Sequence, residues 1–213
     1  MRVGVIDYGV GNLGSVMRAL EELRVAPVLI KNIKEMESCN RLILPGVGNF
    51  GTCSALLQRG GWVQALRDDV VGNQKPLLGI CLGMQLLATT SSESDENESS
   101  ESEFGLNLIP GRVESLEKIG CNLRVPHVGW NAINCLPVGR EIFEKIPNGT
   151  DFYFVHSYAF IPENYEHVLA TTDYGVQVTA AVRSGNVWGV QFHPEKSAAA
   201  GLQLYKNFVH WNP

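Results

Sequence analysis

Residues 76–87, P-L-L-G-I-C-L-G-M-Q-L-L, run as a buried strand into Gly79-Ile80-Cys81-Leu82-Gly83 and continue at once with helical spacing. This is G-x-C-x-G, the thiol counterpart of the G-x-S-x-G nucleophile elbow. Such a turn is sharp and strains the backbone of its central residue, so neighbours lacking Cβ relieve the clash. A helix opening at Leu82 aims free N–H groups at Cys81, which favours thiolate, and the Leu82 N–H is placed to bond an oxyanion. The competing reading is a structural cysteine between packing glycines, the ordinary one for a single cysteine. A base elsewhere in the chain decides between them.

Outward from the elbow, the first half alternates short apolar runs (Arg2–Asp7, Pro27–Ile30, Arg41–Leu44) with helix-like segments. Those segments are Leu13–Leu23, with Leu13, Val16, Met17, Leu20 and Leu23 in register, and Ser54–Val71, broken at Gly60-Gly61. The rhythm predicts an α/β fold with a largely parallel central sheet and helices on both faces. Ligands then sit at the carboxyl ends of the strands, just after Asp7, Leu44 and Ile80. The second half adds antiparallel strands at Gly111–Leu116, Leu123–Val128, Phe152–Tyr158, Val168–Thr172, Thr179–Arg183 and Val187–Phe192. Gly185-Asn186 is a hairpin turn and Ala198–Trp211 a closing helix. All of 1–213 is expected to form one domain. Within it, the Ser- and acid-rich stretch 89–103 cannot bury apolar surface and is expected to be a mobile loop.

The base comes from V-W-G-V-Q-F-H-P-E-K-S at 187–197. His193 and Glu195 flank a proline, and in extended chain residues i and i+2 share a side. A thiol nucleophile needs an imidazole to take its proton, and the imidazole needs a carboxylate to fix its tautomer. Cys81, His193 and Glu195 supply the three roles.

Composition narrows the class. With 17 Lys and Arg against 22 Asp and Glu, the net charge of −5 leaves no basic excess for nucleic acid. No run of eighteen apolar residues suggests a membrane span, and the N-terminus reads as a strand and not a signal peptide. The five cysteines form no C-x-x-C pair, so neither zinc nor a dithiol is indicated, and a reducing cytoplasm fits. Gly9-x-Gly11-x-x-Gly14 imitates a dinucleotide fingerprint, but Val28-Leu29-Ile30-Lys31-Asn32 lacks the acid that motif needs.

P-G-V-G-N-F at 45–50, G-I-C-L-G-M-Q at 79–85 and F-H-P-E-K-S at 192–197 resemble the class I glutamine amidotransferases. Y-G-V-G-N-L at 8–13, V-P-H-V-G-W-N at 125–131 and F-V-H-S-Y at 154–158 narrow the resemblance to the glutaminase subunits of imidazole glycerol phosphate synthases, from Met1 to the last helix. The resemblance implies Cys81 as nucleophile, His193 as base and Glu195 as its orienter. It implies that Gln85 contacts bound glutamine and that Glu93, with Glu96 as the alternative, holds its amino group. His156, Ser157 and Tyr158 would line the site. Pro45–Gly48 would be an oxyanion strand whose Val47 or Gly48 N–H joins that of Leu82. Glycines around Val47 make a peptide flip cheap, which suggests a hole set only when the partner is loaded. That partner would be a (β/α)₈-barrel cyclase subunit in a heterodimer, docked over Tyr8, Asn12, Tyr153 and Lys196, with no metal or organic cofactor. Three alternatives remain: a cysteine peptidase of related topology, a paralogous glutaminase feeding a surface-sugar amidotransferase, and a non-catalytic regulatory subunit of the same fold.

Overall fold

A computed structural model describes residues 1–93 and 103–212. In chain order the first half contains β1 (Arg2–Ile6), α1 (Leu13–Glu22), β2 (Ala26–Ile30), β3 (Arg41–Gly46), α2 (Phe50–Arg59), α3 (Trp62–Arg67), β4 (Leu77–Cys81) and α4 (Leu82–Gln85). The second half contains β5 (Thr90–Ser91), β6 (Glu103–Phe104), β7 (Gly111–Ser115), β8 (His127–Cys135), β9 (Asp151–His156), β10 (Tyr158–Pro162), β11 (Val168–Asp173), β12 (Gln177–Ser184), β13 (Val187–Val190) and α5 (Ala198–His210).

Among the described residues, nine strands form one sheet in the order β2-β1-β3-β4-β13-β12-β11-β8-β9. From β2 to β13 every pairing is parallel; from β13 to β9 every pairing is antiparallel. The fold class is therefore the expected α/β one, with the parallel half coming from the alternating N-terminal segments and β13. β3 and β4 are buried along their whole length, which explains their unbroken apolar sequence. Their alternate residues serve opposite faces. Val5, Ile43, Leu78 and Ile80 pack with α1 and α5. Leu42, Leu44 and Leu77 pack with Phe50, Leu57, Trp62 and Leu66 of α2 and α3. A smaller sheet, β10-β7-β5-β6, stands beside it.

Four expectations need correction. Strand β8 runs from His127 to Cys135 and not over Leu123–Val128, because from His127 on its edges are paired, to β9 and β11; Gly129 and its asparagines hide that from a propensity reading. The run Phe152–Tyr158 breaks at Ser157, with β9 in the large sheet and β10 in the small one. Helix α4 is a single turn. The Ser- and acid-rich stretch is not a loop at its ends: Thr90–Ser91 pairs with Glu103–Phe104 and with β7. Ser91 is buried, and hydrogen-bonded backbone, not apolar side chains, secures this edge. Residues 94–102, the rest of the expected mobile loop, lie outside the described residues.

Candidate active site

Cys81 is the last residue of β4, directly beside the end of β3, where Gly46 is its register partner. Its backbone sits at φ 55°, ψ −113°, a conformation that costs energy for a residue with a side chain. Close packing around it holds the strain. A Cβ at Gly83 would lie 1.9 Å from the Leu44 carbonyl oxygen, and one at Gly79 would lie 2.5 Å from that of Gly83. The G-x-C-x-G glycines therefore let α4 press onto β3 and β4. With only one turn, α4 has a weak macrodipole, so the positive charge that serves the sulfur has to come mainly from His193.

The resting thiol donates to the Val155 carbonyl at 3.7 Å and accepts from Gln191 Nε2 at 3.8 Å. His193 reaches it from the other side. β13 ends at Val190 and pairs parallel to β4, so the chain leaving β13 passes over the end of β4. His193 Nδ1 bonds Glu195 Oε1 at 2.8 Å, which leaves Nε2 facing the sulfur without a hydrogen bond in this resting arrangement. Burial works against the imidazolium, but the neighbouring Cys81 sulfur together with the hydrogen bond and charge of Glu195 outweighs it and raises His193 to about 9. Burial likewise opposes the Glu195 carboxylate, and its contacts with His193 and Asn12 overcome this and hold its pKa below the ordinary value.

A cleft of about 390 Å³ opens over this group, lined by Val47, Gly48, Cys81, Leu82, Gln85, Glu93, Pro126, Val155, His156, Ser157, Tyr158, His193 and Lys196. Every residue expected in the nucleophile, oxyanion and substrate roles lines it, except Glu195, which stands behind His193; Glu96 lies outside the described residues. The Cys53 thiol donates to the Val47 carbonyl at 3.6 Å. In a trans peptide the Gly48 N–H then points the opposite way. Glu93 accepts the Phe50 N–H at the start of α2 at 3.1 Å, and burial raises its pKa. The side chain of Gln85 donates to the Tyr158 carbonyl and to Gln191 Oε1, both at 3.0 Å, so only its amide oxygen is left for a ligand. Among the described residues no cluster of three His, Cys, Asp or Glu side chains is arranged to hold a metal ion.

Two residues expected at a partner surface make contacts inside the fold. Tyr8 is 6% exposed and sits against Cys53 and Cys81 inside the fold, because β1 is an inner strand. Asn12, at the start of α1, donates to Glu195 Oε1 at 3.0 Å and so braces the carboxylate. Tyr153 and Lys196 are at the rim, with the ammonium 5.5 Å from the ring centroid. Gln191 went unnoticed in the sequence, although its position two residues before His193 was the available signal.

Behind the cleft, a chain of hydrogen bonds fixes two tautomers. His156 Nδ1–H donates to the Tyr158 carbonyl at 2.8 Å, so its Nε2 accepts from His127 Nδ1–H at 3.0 Å. The imidazole of His156 is therefore committed away from any substrate, and burial lowers both rings, His127 to about 4 and His156 to about 3. A depressed folded value means that the unfolded chain binds protons first. Stability should then fall as pH drops below about 6.5, by about 2 kcal/mol at pH 5 from His156 alone. His193, with its raised value, has the opposite sign and offsets only part of this, since its contribution is lost as pH rises toward 9. Chemical denaturation at pH 7 and pH 5 checks it. The His156→Gln variant should lose most of the slope, and a wild type equally stable at both values refutes the account.

The model for "Glutamine amidotransferase class-I" matches residues 4–211. The imidazole glycerol phosphate synthase subunit HisH of Moorella thermoacetica is 45% identical over 206 residues, covering 97% of this chain and 93% of that protein. The subunit of the same name from Pelagibacter ubique is 38% identical over 214 residues, covering 99% and 100%. A crystal structure of a glutamine amidotransferase superposes with a TM-score of 0.73 at 22% identity, over 97% of this chain and 96% of that one. The structure of PurLQS from Thermotoga maritima gives 0.73 at 16%, over 98% and 97%. At those identities the superpositions speak for the fold alone.

Proposed function

The chain belongs to the class I glutamine amidotransferase family, and from that premise we propose that it is the glutaminase subunit of imidazole glycerol phosphate synthase, acting in histidine biosynthesis in the cytoplasm. None of the described helices is long and apolar enough to cross a membrane. The observation that carries the reading is the convergence of Cys81, His193 and Glu195 at one end of the parallel strands, under a cleft lined by Val47, Gly48 and Leu82.

In this reading the Cys81 sulfur attacks the side-chain amide carbon of glutamine. The oxyanion is met by the N–H of Leu82 and that of Val47 or Gly48. His193, protonated at Nε2, gives its proton to the departing ammonia, which leaves a γ-glutamyl thioester. His193 then takes a proton from water, whose oxygen attacks the thioester and releases glutamate. Glu195 and Asn12 hold the imidazole, Glu93 receives the substrate ammonium, and the Gln85 amide oxygen is the contact that side chain retains. An oxyanion strand that is not set costs on the order of 10²–10³ in rate per missing donor.

Ammonia needs a recipient, and the mouth of the cleft offers a surface for one. Val128 and Trp130, both 55% exposed, share one side of β8, and Trp130 meets Tyr153 edge-on at 6.1 Å. Lys196 completes the row beside the cleft. An apolar patch edged by the Lys196 ammonium beside a catalytic cleft suits a protein partner. The proposed partner is the (β/α)₈-barrel cyclase subunit, bound as a heterodimer. Glutamate release, measured with and without that subunit and its nucleotide ligand, should rise on the order of 10²-fold or more in the complex. Equal rates would refute the switch, and failure of the two chains to associate would refute the partner.

A further inference from the structure

The carboxylate that orients His193 is only half accounted for by Asn12 and His193 itself. Both of those donors fall on Glu195 Oε1, at 3.0 and 2.8 Å. Its Oε2 is buried with no hydrogen-bond partner, in a side chain 1% exposed. An ionised oxygen out of water without a donor is costly, so a neighbour capable of donating is to be looked for.

Helix α5 brings one. It leaves the His193–Lys196 turn directly, tied by the Ser197 hydroxyl to the His193 carbonyl at 2.7 Å and by the Gly201 N–H to the Ser197 carbonyl at 3.1 Å. A Cβ at Gly201 would lie 1.8 Å from the Pro194 carbonyl oxygen, so the helix rests its backbone on the triad segment. Tyr205 is four residues further on, hence on the same helix face. Its side chain is wholly buried, and its hydroxyl, like Glu195 Oε2, has no hydrogen-bond partner at rest. The phenol stands against Glu195: burial, then the carboxylate's charge, push its ionisation far above the ordinary range. It stays an O–H, able to donate.

We propose that Tyr205 is a positioning residue of the triad, its hydroxyl closing onto Glu195 Oε2 so that both carboxylate oxygens are held. This rests on the reading of Cys81, His193 and Glu195 as the catalytic group. A carboxylate held at both oxygens cannot swing about its last bond, and the imidazole it carries keeps Nε2 on the sulfur. Tyr205 is not in the wall of the cleft, so substrate affinity is untouched by its loss.

The test is a double-mutant cycle in the full chain, reading steady-state glutamate release. Tyr205→Phe, which keeps the ring and the packing, should lower kcat about tenfold, short of the ~10²-fold that an ångström of misplacement costs, with KM within about twofold. In a Glu195→Gln background the same substitution should change kcat less than about twofold. The His193 Nδ1 proton resonance should be strongly downfield in the wild type and should move upfield in Tyr205→Phe. An unchanged kcat and resonance in Tyr205→Phe, or the same tenfold loss with and without Glu195, would overturn the proposal while leaving the triad standing. Full activity in Glu195→Gln alone would instead show that the triad reading had failed, and the proposal with it.

Discussion

Replacing Cys81 by alanine should reduce glutamine hydrolysis by on the order of 10⁴ or more, while the partner's synthesis from added ammonia continues. The size follows from the chemistry: without the sulfur there is no thioester, and among the described residues lining the cleft Cys81 alone is a thiol. The fold should survive. Alanine tolerates φ 55° no worse than cysteine, and the thiol gives up two long hydrogen bonds, at 3.7 and 3.8 Å, and its interaction with His193. The change in unfolding free energy should therefore stay near 1 kcal/mol. Glutamine should still bind, because Glu93, Gln85 and the backbone of residues 155–158 remain in place. Three measurements on one variant check this: glutamate release, partner synthesis with ammonium salt in place of glutamine, and glutamine binding by calorimetry. Retained hydrolysis would remove Cys81 from the mechanism. Loss of the ammonia-dependent reaction as well would mean that the substitution had broken the complex, not the chemistry.

Much of this site could be read from the chain because its residues are local. G-x-C-x-G carries its own geometry: the glycines are required by an approach of two backbones, and the cysteine by the chemistry at their junction. His193 and Glu195 are two residues apart, and the short 3₁₀ turn over Pro194–Lys196, in place of the extended chain expected, brings their side chains together. What stayed hidden was the part assembled across distance. Asn12 directly precedes α1, and only the packing of α1 against the turn before α5 turns its amide to Glu195, 183 residues away. Tyr8 looks like a surface residue after a first strand, yet β1 lies inside the sheet, between β2 and β3, and draws it in. The His127–His156 chain depends on the register of β8 with β9, which pairs those two residues directly. No one-dimensional pattern announces a strand that contains Gly129 and polar residues. The small β5–β6 pair was misread for a related reason: it is held by backbone hydrogen bonds, and composition reports only side chains.

Gly83→Ala should damage both the fold and the chemistry of the site. The added methyl would stand 1.9 Å from the Leu44 carbonyl oxygen and 2.9 Å from its carbon, both backbone atoms of a strand buried on both faces. Neither side can yield cheaply. β3 is tied to β1 and β4, and α4 follows directly on the strained Cys81. Overpacking of this kind typically costs about 1–3 kcal/mol where side chains can rearrange. Here only backbone can move, so the loss should reach about 4 kcal/mol or more. The activity should fall further than the stability loss explains. To make room, α4 must lift from β3, which carries the Leu82 N–H away from the sulfur and from the Val47–Gly48 peptide. One oxyanion donor is worth on the order of 10²–10³ in kcat. Urea denaturation gives the first quantity. Glutamate release at a temperature where the variant is still folded gives the second, with folding checked by circular dichroism in the same sample. A folded variant with wild-type kcat would show that the contact between α4 and β3 does not set the oxyanion hole, and the role given to the Leu82 N–H would have to be abandoned.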